Sequence, residues 1–175
     1  MASKTFSQLA LGTLKGVNLR NSGCGAVAIA DIVHNIDTSI TVNKVAEYLI
    51  NNSYLSNSGT TRVGLTRGLD HFGFDSLYFK DEHRNSEAYK TFFEILKASK
   101  DNPVWAIALM VGTSDGAASN RWTKGGHYIA ITGYKQVNGV DHYYVRDGMD
   151  RTTGWHPLSD FSRCMNVGWI ITKYY

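Results

Sequence analysis

The sequence predicts an α+β domain in which a helical N-terminal half packs on a C-terminal antiparallel β-sheet. Helical spacing of apolar residues is confined to about the first hundred positions, and short apolar or alternating runs rich in branched and aromatic residues follow. Helices followed by strands, rather than an alternation of the two, are typical of the α+β class. The chain has 175 residues, 43% of them hydrophobic and 19% charged, so we expect residues 1–175 to form a single domain.

Four helices are predicted in the N-terminal half, because apolar residues recur there at helical spacing. They are a helix that begins at Cys24 after the turn Asn21-Ser22-Gly23, one over residues 41–52 capped by Thr41, a short one from Arg62 to Phe72 closed by Gly73, and one from Ser86 to Ser99.

Four strands are predicted in the C-terminal half. Their sequences are VWAIALMV at 104–111, HYIAITGY at 127–134, HYYVRDG at 142–148 and MNVGWIITKYY at 165–175. We expect them to form one antiparallel sheet against the helices.

Cys24 is the candidate nucleophile. A thiol reacts as its thiolate, and the N-terminus of a helix favours negative charge through unpaired backbone N–H groups and the helix dipole. Gly23 and Gly25 would leave room for a substrate backbone beside the sulfur. The alternative is a small buried cysteine of the core, which is the usual role of a free cysteine. Cys24 and Cys164 lie in unlike contexts, and we expect no disulfide between them.

His127 is the candidate base, because it follows Gly125 and Gly126 where a loop enters a predicted strand. Histidine can accept the thiol proton near neutral pH and later protonate a leaving amine. Gly126 beside it is a candidate substrate-binding position. The alternative is a histidine whose nitrogens are satisfied within the sheet.

Asp147 is the candidate for the residue that orients the histidine, since it ends the strand after that of His127. A strict two-residue turn at Asn138-Gly139 would place Asp147 opposite Ala130 and on the wrong face of the sheet. A five-residue loop from Gln136 to Val140, or a bulge, would return it to the face of His127, so we predict one of the two. The alternatives for this role are Asp141 and Asp150.

An acyl-transfer site also needs hydrogen-bond donors for the oxyanion that develops on the carbonyl. The backbone N–H of Cys24 is one candidate. The side-chain amide of Asn18, six residues earlier, is the second, and its alternative role is that of an ordinary loop residue.

Other functional classes find no support in the sequence. The histidines show no HExxH or paired ligand spacing and no phosphate-binding glycine motif is present, so we expect no metal site and no cofactor. The net charge of +3 comes from scattered lysines and arginines, which does not favour nucleic-acid binding but suits approach to an anionic wall polymer. Val104–Val111, the longest apolar stretch, is far shorter than the roughly 20 residues of a membrane span, so no membrane insertion is expected.

The motifs together resemble those of papain-like cysteine peptidases of the bacteriocin-processing type, especially the cell-wall-hydrolase-like members of Gram-positive bacteria and their phages. The matching segments are Ser22–Gly25, Val45–Leu49, Gly59-Thr60, Gly125–Tyr134, Asp147 and Gly168–Ile170. The likeness spans Asn21 to Lys173, and ordered motifs are more specific than any one of them.

This resemblance implies a papain-like fold and assigns nucleophile, base and orienting acid to Cys24, His127 and Asp147. The oxyanion-hole glutamine of the family falls at Asn18, a shorter amide. The family commonly has proline after Cys-Gly and after the aspartate, where this chain has Ala26 and Gly148.

The implied function is hydrolysis of an amide or peptide bond of bacterial peptidoglycan by an endolysin- or autolysin-type domain, as endopeptidase or amidase. The first twenty residues show no secretory signal, so we expect synthesis in the cytoplasm and action on the wall after release. We expect a monomer. The alternatives are a leader-peptide processing protease and a catalytically silent papain-like binding domain.

Overall fold

A six-stranded antiparallel sheet separates two helical layers in the computed structural model, which describes residues 6–80, 87–101, 104–112, 122–123, 125–162 and 164–174. The helices are α1 (Leu19–Ser22), α2 (Cys24–Val33), α3 (Val42–Asn51), α4 (Arg62–His71) and α5 (Glu87–Ala98). The strands of the sheet are β5 (Phe74–Lys80), β6 (Ala106–Val111), β7 (Gly126–Val137), β8 (Val140–Arg146), β9 (Gly154–Pro157) and β10 (Met165–Tyr174). Two short hairpins precede it, β1 (Thr13–Leu14) with β2 (Val17–Asn18) and β3 (Leu55–Ser56) with β4 (Gly59–Thr60). The predicted α+β class is confirmed.

Helix α2 is the central helix, because every residue from Gly25 to Val33 is buried. It packs against β7 on one side and against α3 on another. Helix α3 buries only one face, and the Thr41 hydroxyl caps it by accepting a hydrogen bond from Lys44 N at 3.3 Å. The predicted start of α2 at Cys24 and the Thr41 cap of α3 are both confirmed.

The order of strands in the sheet is β5-β10-β6-β7-β8-β9. Strand β5 lies between α4 and α5 in sequence, where the sequence analysis predicted no strand. Gly73, with a φ of +92°, ends the turn after α4 and lets the chain enter β5. The middle of this edge strand is half-buried or exposed on both faces, which weakens the alternation that identifies a strand.

The two faces of the sheet carry separate apolar cores. One joins the sheet to α2, α3 and α4, and the other joins it to α5. Strand β10 contributes to both, since Val167 and Trp169 face the first core while Met165 and Ile170 face the second.

The β7–β8 hairpin closes through the two-residue turn Asn138-Gly139, and both residues have positive φ, 51° and 78°. The predicted five-residue loop is therefore wrong. The predicted bulge is confirmed, because the register shifts between Ile131 and Gly133 and leaves Thr132 as the extra residue.

No helix among the described residues is both long enough and apolar enough to cross a membrane.

Candidate active site

Cys24 is the first residue of α2 and is half-buried, so its thiol borders solvent at the N-terminus of the central helix. The backbone N–H of a residue at this position has no acceptor within the helix and is directed outward. Cys24 therefore offers both a thiol that can act as nucleophile and an outward N–H that can donate to an oxyanion.

His127 and Asp147 form a buried hydrogen-bonded pair. Nε2 of His127 lies 2.5 Å from Oδ1 of Asp147, and the two residues are 4% and 0% exposed. Asp147 also accepts hydrogen bonds from the Met149 N–H at 2.9 Å and from the Thr152 hydroxyl at 2.8 Å. Burial alone would raise the pKa of Asp147, but its hydrogen bond and charge interaction with His127 and the bonds from these two donors lower it. The carboxylate is held ionised and fixed.

His127 also interacts with Cys24. Burial lowers the pKa of the imidazole, but hydrogen bonds to Asp147 and Cys24 raise it to about 9. Because Nε2 faces Asp147, Nδ1 is the nitrogen left for the thiol. The structure brings Cys24, His127 and Asp147 together in the order of a nucleophile, a base and an orienting acid.

The bulge in β7 makes this arrangement possible. Ala130 pairs with Arg146, so the next step along the ladder places Asp147 opposite Ile129 and on the side of His127. Of the alternative acids, Asp141 lies near the hairpin turn, where it binds the Tyr134 hydroxyl at 2.7 Å, Gln136 and Lys97. Asp150 belongs to the turn after Asp147, and its N–H donates to the Asp147 carbonyl.

Asn18, the predicted second oxyanion donor, is the exposed N-cap of α1. Its side-chain oxygen accepts a hydrogen bond from Asn21 N at 3.3 Å, and its own N–H donates to Asn57 Oδ1 at 2.9 Å. The amide nitrogen is the group that would face an oxyanion, and that role remains a prediction.

The predicted substrate-binding glycines occupy different surroundings. Gly23 and Gly25 are buried, and an added Cβ would lie 2.5 Å from the Leu19 carbonyl oxygen and 2.5 Å from the Thr60 hydroxyl, respectively. Internal packing therefore requires glycine at both positions. Their role in substrate binding remains a prediction. Gly126 is exposed at the start of β7, and its substrate-binding role remains a prediction.

Sequence reasoning missed several residues that support the site. Thr152 holds the Asp147 carboxylate and Thr153 accepts the Asp147 N–H at 3.0 Å, although nothing in a Thr-Thr pair marks such a role in a sequence. Tyr128 donates to the Thr60 carbonyl at 2.9 Å, and burial together with the nearby Cys24 raises the pKa of its hydroxyl. Thr60 in turn packs on Gly25.

The described part of the chain contains no group of three histidine, cysteine, aspartate or glutamate side chains placed to hold a metal ion. The chemistry available from the residues present is that of a thiol nucleophile with an imidazole base.

Comparison with known proteins gives one family and one fold. A model of the family described as "Peptidase_C39 like family" matches residues 3–174. No significant match to a curated protein was found. The peptidase domain of Streptococcus ComA, a bi-functional ABC transporter involved in a quorum sensing pathway, is similar in structure with a TM-score of 0.57 and 15% identity, over 86% of this chain and 92% of that chain.

Two further structures are similar. UfSP from C. elegans has a TM-score of 0.55 and 11% identity over 98% of this chain but only 32% of its own. A double glycine motif protease from an AMS/PCAT transporter, in complex with its leader peptide, has a TM-score of 0.49 and 12% identity over 86% and 84% of the two chains. At these identities the likeness to ComA and UfSP is a likeness of fold.

Proposed function

Because the chain belongs to the Peptidase_C39 like family, we propose that it is a cysteine peptidase that cleaves amide bonds through a thioester on Cys24. The observation that carries the proposal is the buried hydrogen bond between His127 Nε2 and Asp147 Oδ1, with Cys24 on the other side of the imidazole. A histidine in the core needs only one polar partner on each nitrogen. Here one partner is a carboxylate and the other a half-exposed thiol at a helix N-terminus.

The reaction follows from these positions. His127 takes the proton of the Cys24 thiol, and the thiolate attacks the carbonyl carbon to give a tetrahedral oxyanion. The imidazolium then protonates the leaving nitrogen as the C–N bond breaks and the thioester forms. A water molecule, deprotonated by His127, attacks the thioester, and the thiol leaves with that proton. Asp147 stabilises the imidazolium and fixes its orientation throughout.

The backbone N–H of Cys24 and the side-chain amide of Asn18 are the donors we propose for the oxyanion. The first points outward because it begins α2. The second belongs to the residue just before α1, which leads directly into the turn at Gly23.

The substrate we propose is a peptide or amide bond of bacterial peptidoglycan. The motif resemblance to wall hydrolases supports it, and the net charge of +3 favours approach to an anionic wall. The test is digestion of purified Gram-positive peptidoglycan by wild type and by Cys24→Ala, with new termini identified by mass spectrometry. We expect new fragments from wild type only. Absence of fragments across several wall chemistries would contradict the wall substrate.

The second candidate is cleavage of a leader peptide from a precursor. The observation that favours it is the likeness of fold to the peptidase domain of ComA, a bi-functional ABC transporter, of which the matched region covers 92%. A peptide library in place of peptidoglycan distinguishes the two. Cleavage of peptides by wild type together with an intact wall would support this candidate over the first.

A silent binding domain with the same fold makes a different prediction about the thiol. We expect iodoacetamide to alkylate Cys24 rapidly at pH 6, because the His127 imidazolium stabilises the thiolate, and we expect His127→Ala to slow that reaction at least about tenfold. Equal alkylation rates in the two proteins would exclude the ion pair and with it the peptidase.

A further inference from the structure

Asp31 is a buried acid that the proposed reaction does not use. It lies in α2, seven residues after Cys24, and is 0% exposed. Its Oδ1 accepts a hydrogen bond from the Phe6 N–H at 2.8 Å, while Oδ2 has no hydrogen-bond partner in the described part of the chain. A carboxyl group in the core of a central helix is costly, so its presence calls for a physical reason.

The segment that Asp31 binds is hydrogen-bonded to the residue after Asp147. Phe6 begins a short N-terminal segment, Phe6–Gln8, and the Gln8 N–H donates to the Gly148 carbonyl at 2.7 Å. Gly148 follows Asp147 in the chain. The two hydrogen bonds therefore join the helix of Cys24 to the turn of Asp147 through three residues.

Gly148 is packed tightly between helix α2 and the N-terminal segment. An added Cβ would lie 2.7 Å from Val27 Cγ1 of α2 and 3.2 Å from Gln8 Cβ of the N-terminal segment. The Gln8 side chain is buried, and its Nε2 donates to the Arg20 carbonyl of α1 at 2.9 Å. The turn of Asp147 thus packs against α2 on one side and against the N-terminal segment on the other.

Charged residues at and beside the Asp147 turn interact with Asp31. Arg146, Asp147 and Asp150 all interact with it electrostatically, and Arg146 donates from Nε to the hydroxyl of the bulge residue Thr132 at 3.1 Å. Burial raises the pKa of Asp31 to about 7, with Asp147 and Asp150 acting in the same direction and the Phe6 N–H and Arg146 opposing it. The carboxyl group can therefore accept the Phe6 hydrogen bond in its neutral form.

We propose that Asp31 is a positioning residue: by anchoring the N-terminal segment Phe6–Gln8, it holds the Asp147–Gly148 turn in place relative to the helix that carries Cys24. The proposal rests on the peptidase function proposed above. It makes the N-terminal segment part of the machinery that aligns His127, because the segment acts through the Asp147–Gly148 turn.

The first test compares two substitutions of Asp31. Asp31→Asn keeps an oxygen that accepts the Phe6 N–H, whereas Asp31→Leu removes the acceptor at similar volume. The probe is alkylation of Cys24 by iodoacetamide from pH 5 to pH 9, measured on folded protein. We expect Asp31→Leu to slow alkylation at pH 6 about tenfold and to move the half-maximal rate to higher pH, because a displaced Asp147 stabilises the imidazolium less. Asp31→Asn should stay within about threefold of wild type.

The second test removes the other hydrogen bond of the path. Gln8 is the first residue of a 3₁₀ turn (Gln8–Ala10), a position that proline accepts, and Ser7 before it is extended. Gln8→Pro and Gln8→Ala both lose the side-chain bond to Arg20, but only proline also lacks the N–H that binds Gly148. We expect Gln8→Pro to show the slowed and shifted alkylation profile of Asp31→Leu, and Gln8→Ala to lie closer to wild type.

The outcomes separate the two proposals. If Cys24 is alkylated as fast in His127→Ala as in wild type, the peptidase function fails. If His127→Ala slows alkylation, but Asp31→Leu and Gln8→Pro lower only the melting temperature and leave the pH profile of the folded protein unchanged, Asp31 has a purely structural role and the positioning proposal is overturned.

Discussion

The imidazole of His127 lies between two groups that favour its charged form. Asp147 is buried and held ionised by its hydrogen bonds, and Cys24 becomes an anion when it loses its proton. The raised pKa of His127, about 9, means that the imidazolium persists through neutral pH. Transfer of the Cys24 thiol proton to His127 gives the thiolate–imidazolium pair, which is the form of the site that we expect to react.

This arrangement predicts the effect of Asp147→Asn. The asparagine lacks the negative charge that favours the imidazolium, so the pKa of His127 should fall by about one unit or more. Because the raised pKa sets the upper limit of the ion pair, the high-pH end of activity should move from about 9 toward neutral pH. An NMR titration of the His127 ring in both proteins measures this. An unchanged pKa would show that Asp147 does not support the imidazolium.

Asp31 predicts an unusual dependence of stability on pH. Its pKa rises from an ordinary 3.8 to about 7 in the folded protein, so between these values the folded state keeps a proton that the unfolded state releases. Stability from this group is therefore complete below about pH 4 and is lost as the pH rises to about 7.

The side chain of the Asp31→Asn variant cannot ionise, so the variant should not lose stability as the pH rises from about 4 to about 7. We expect the variant to exceed wild type at pH 8 by on the order of 2 kcal/mol in the free energy of unfolding, with a smaller gap at pH 5. Urea unfolding at the two pH values provides the measurement, and Asp70→Asn, at an exposed position, is the matched control. A gap of equal size at both pH values would contradict the raised pKa.

At the scale of elements, the N-terminus of α2 is set by its contact with the β3–β4 hairpin. A Cβ on Gly25 would lie 2.5 Å from the Thr60 hydroxyl oxygen and 2.7 Å from Thr60 Cβ, distances at which one element must shift. The position of the Cys24 thiol therefore depends on the buried Gly25, which allows α2 to pack closely on the hairpin.

Gly25→Ala should destabilise the protein by about 1–3 kcal/mol through this overpacking, and Thr60→Gly should restore part of the loss in the double variant. Chemical unfolding of the single and double variants measures both effects. Gly125→Ala is the control, because nothing lies within 4 Å of its added Cβ. Equal stability of Gly25→Ala and Gly125→Ala would mean that the hairpin moves aside at no cost.

The elements also show what the sequence could and could not predict. Cap residues and apolar spacing located α2, α3 and α4 closely, because local signals dominate in such helices. Strand β5 was missed because an edge strand with half-buried faces has little alternation. The requirement that His127 and Asp147 share a face predicted either a bulge or a five-residue loop. It could not predict which of the two occurs or that the extra residue is Thr132.

At the scale of the whole molecule, the sheet separates the site from the second core. Cys24 belongs to the α2 side, while Cys164 is 0% exposed among the aromatic residues on the α5 side. Both are free thiols. The two cysteines therefore report on different events, reactivity of the site and opening of the whole fold.

We expect one alkylation per folded molecule, at Cys24, and a second at Cys164 only under conditions that unfold the chain. Intact-mass measurement across a urea series follows both, and Cys24→Ala should shift the count by one throughout. Labelling of Cys164 in native buffer at the rate of Cys24 would show that the α5 side opens without global unfolding.

The candidate triad could be assembled from the sequence because its three members lie beside strong local signals, a helix start, a strand start and a strand end. The supports of the triad could not. Asp31, Gln8 and Thr152 reach the Asp147 turn only through the folded path of the chain, and their spacing in sequence, from 5 residues for Thr152 to more than a hundred for the other two, carries no periodic signal.

The single extra residue at Thr132 divides the β7–β8 hairpin into two regions with different tolerance to change in length. Between the bulge and the exposed Asn138-Gly139 tip, both strands can grow by equal numbers of residues without moving His127 or Asp147. Between the bulge and the site, one added residue turns either side chain to the opposite face. The tip is thus the place where a binding module or a tag can be inserted in this chain while the parity of the site is kept.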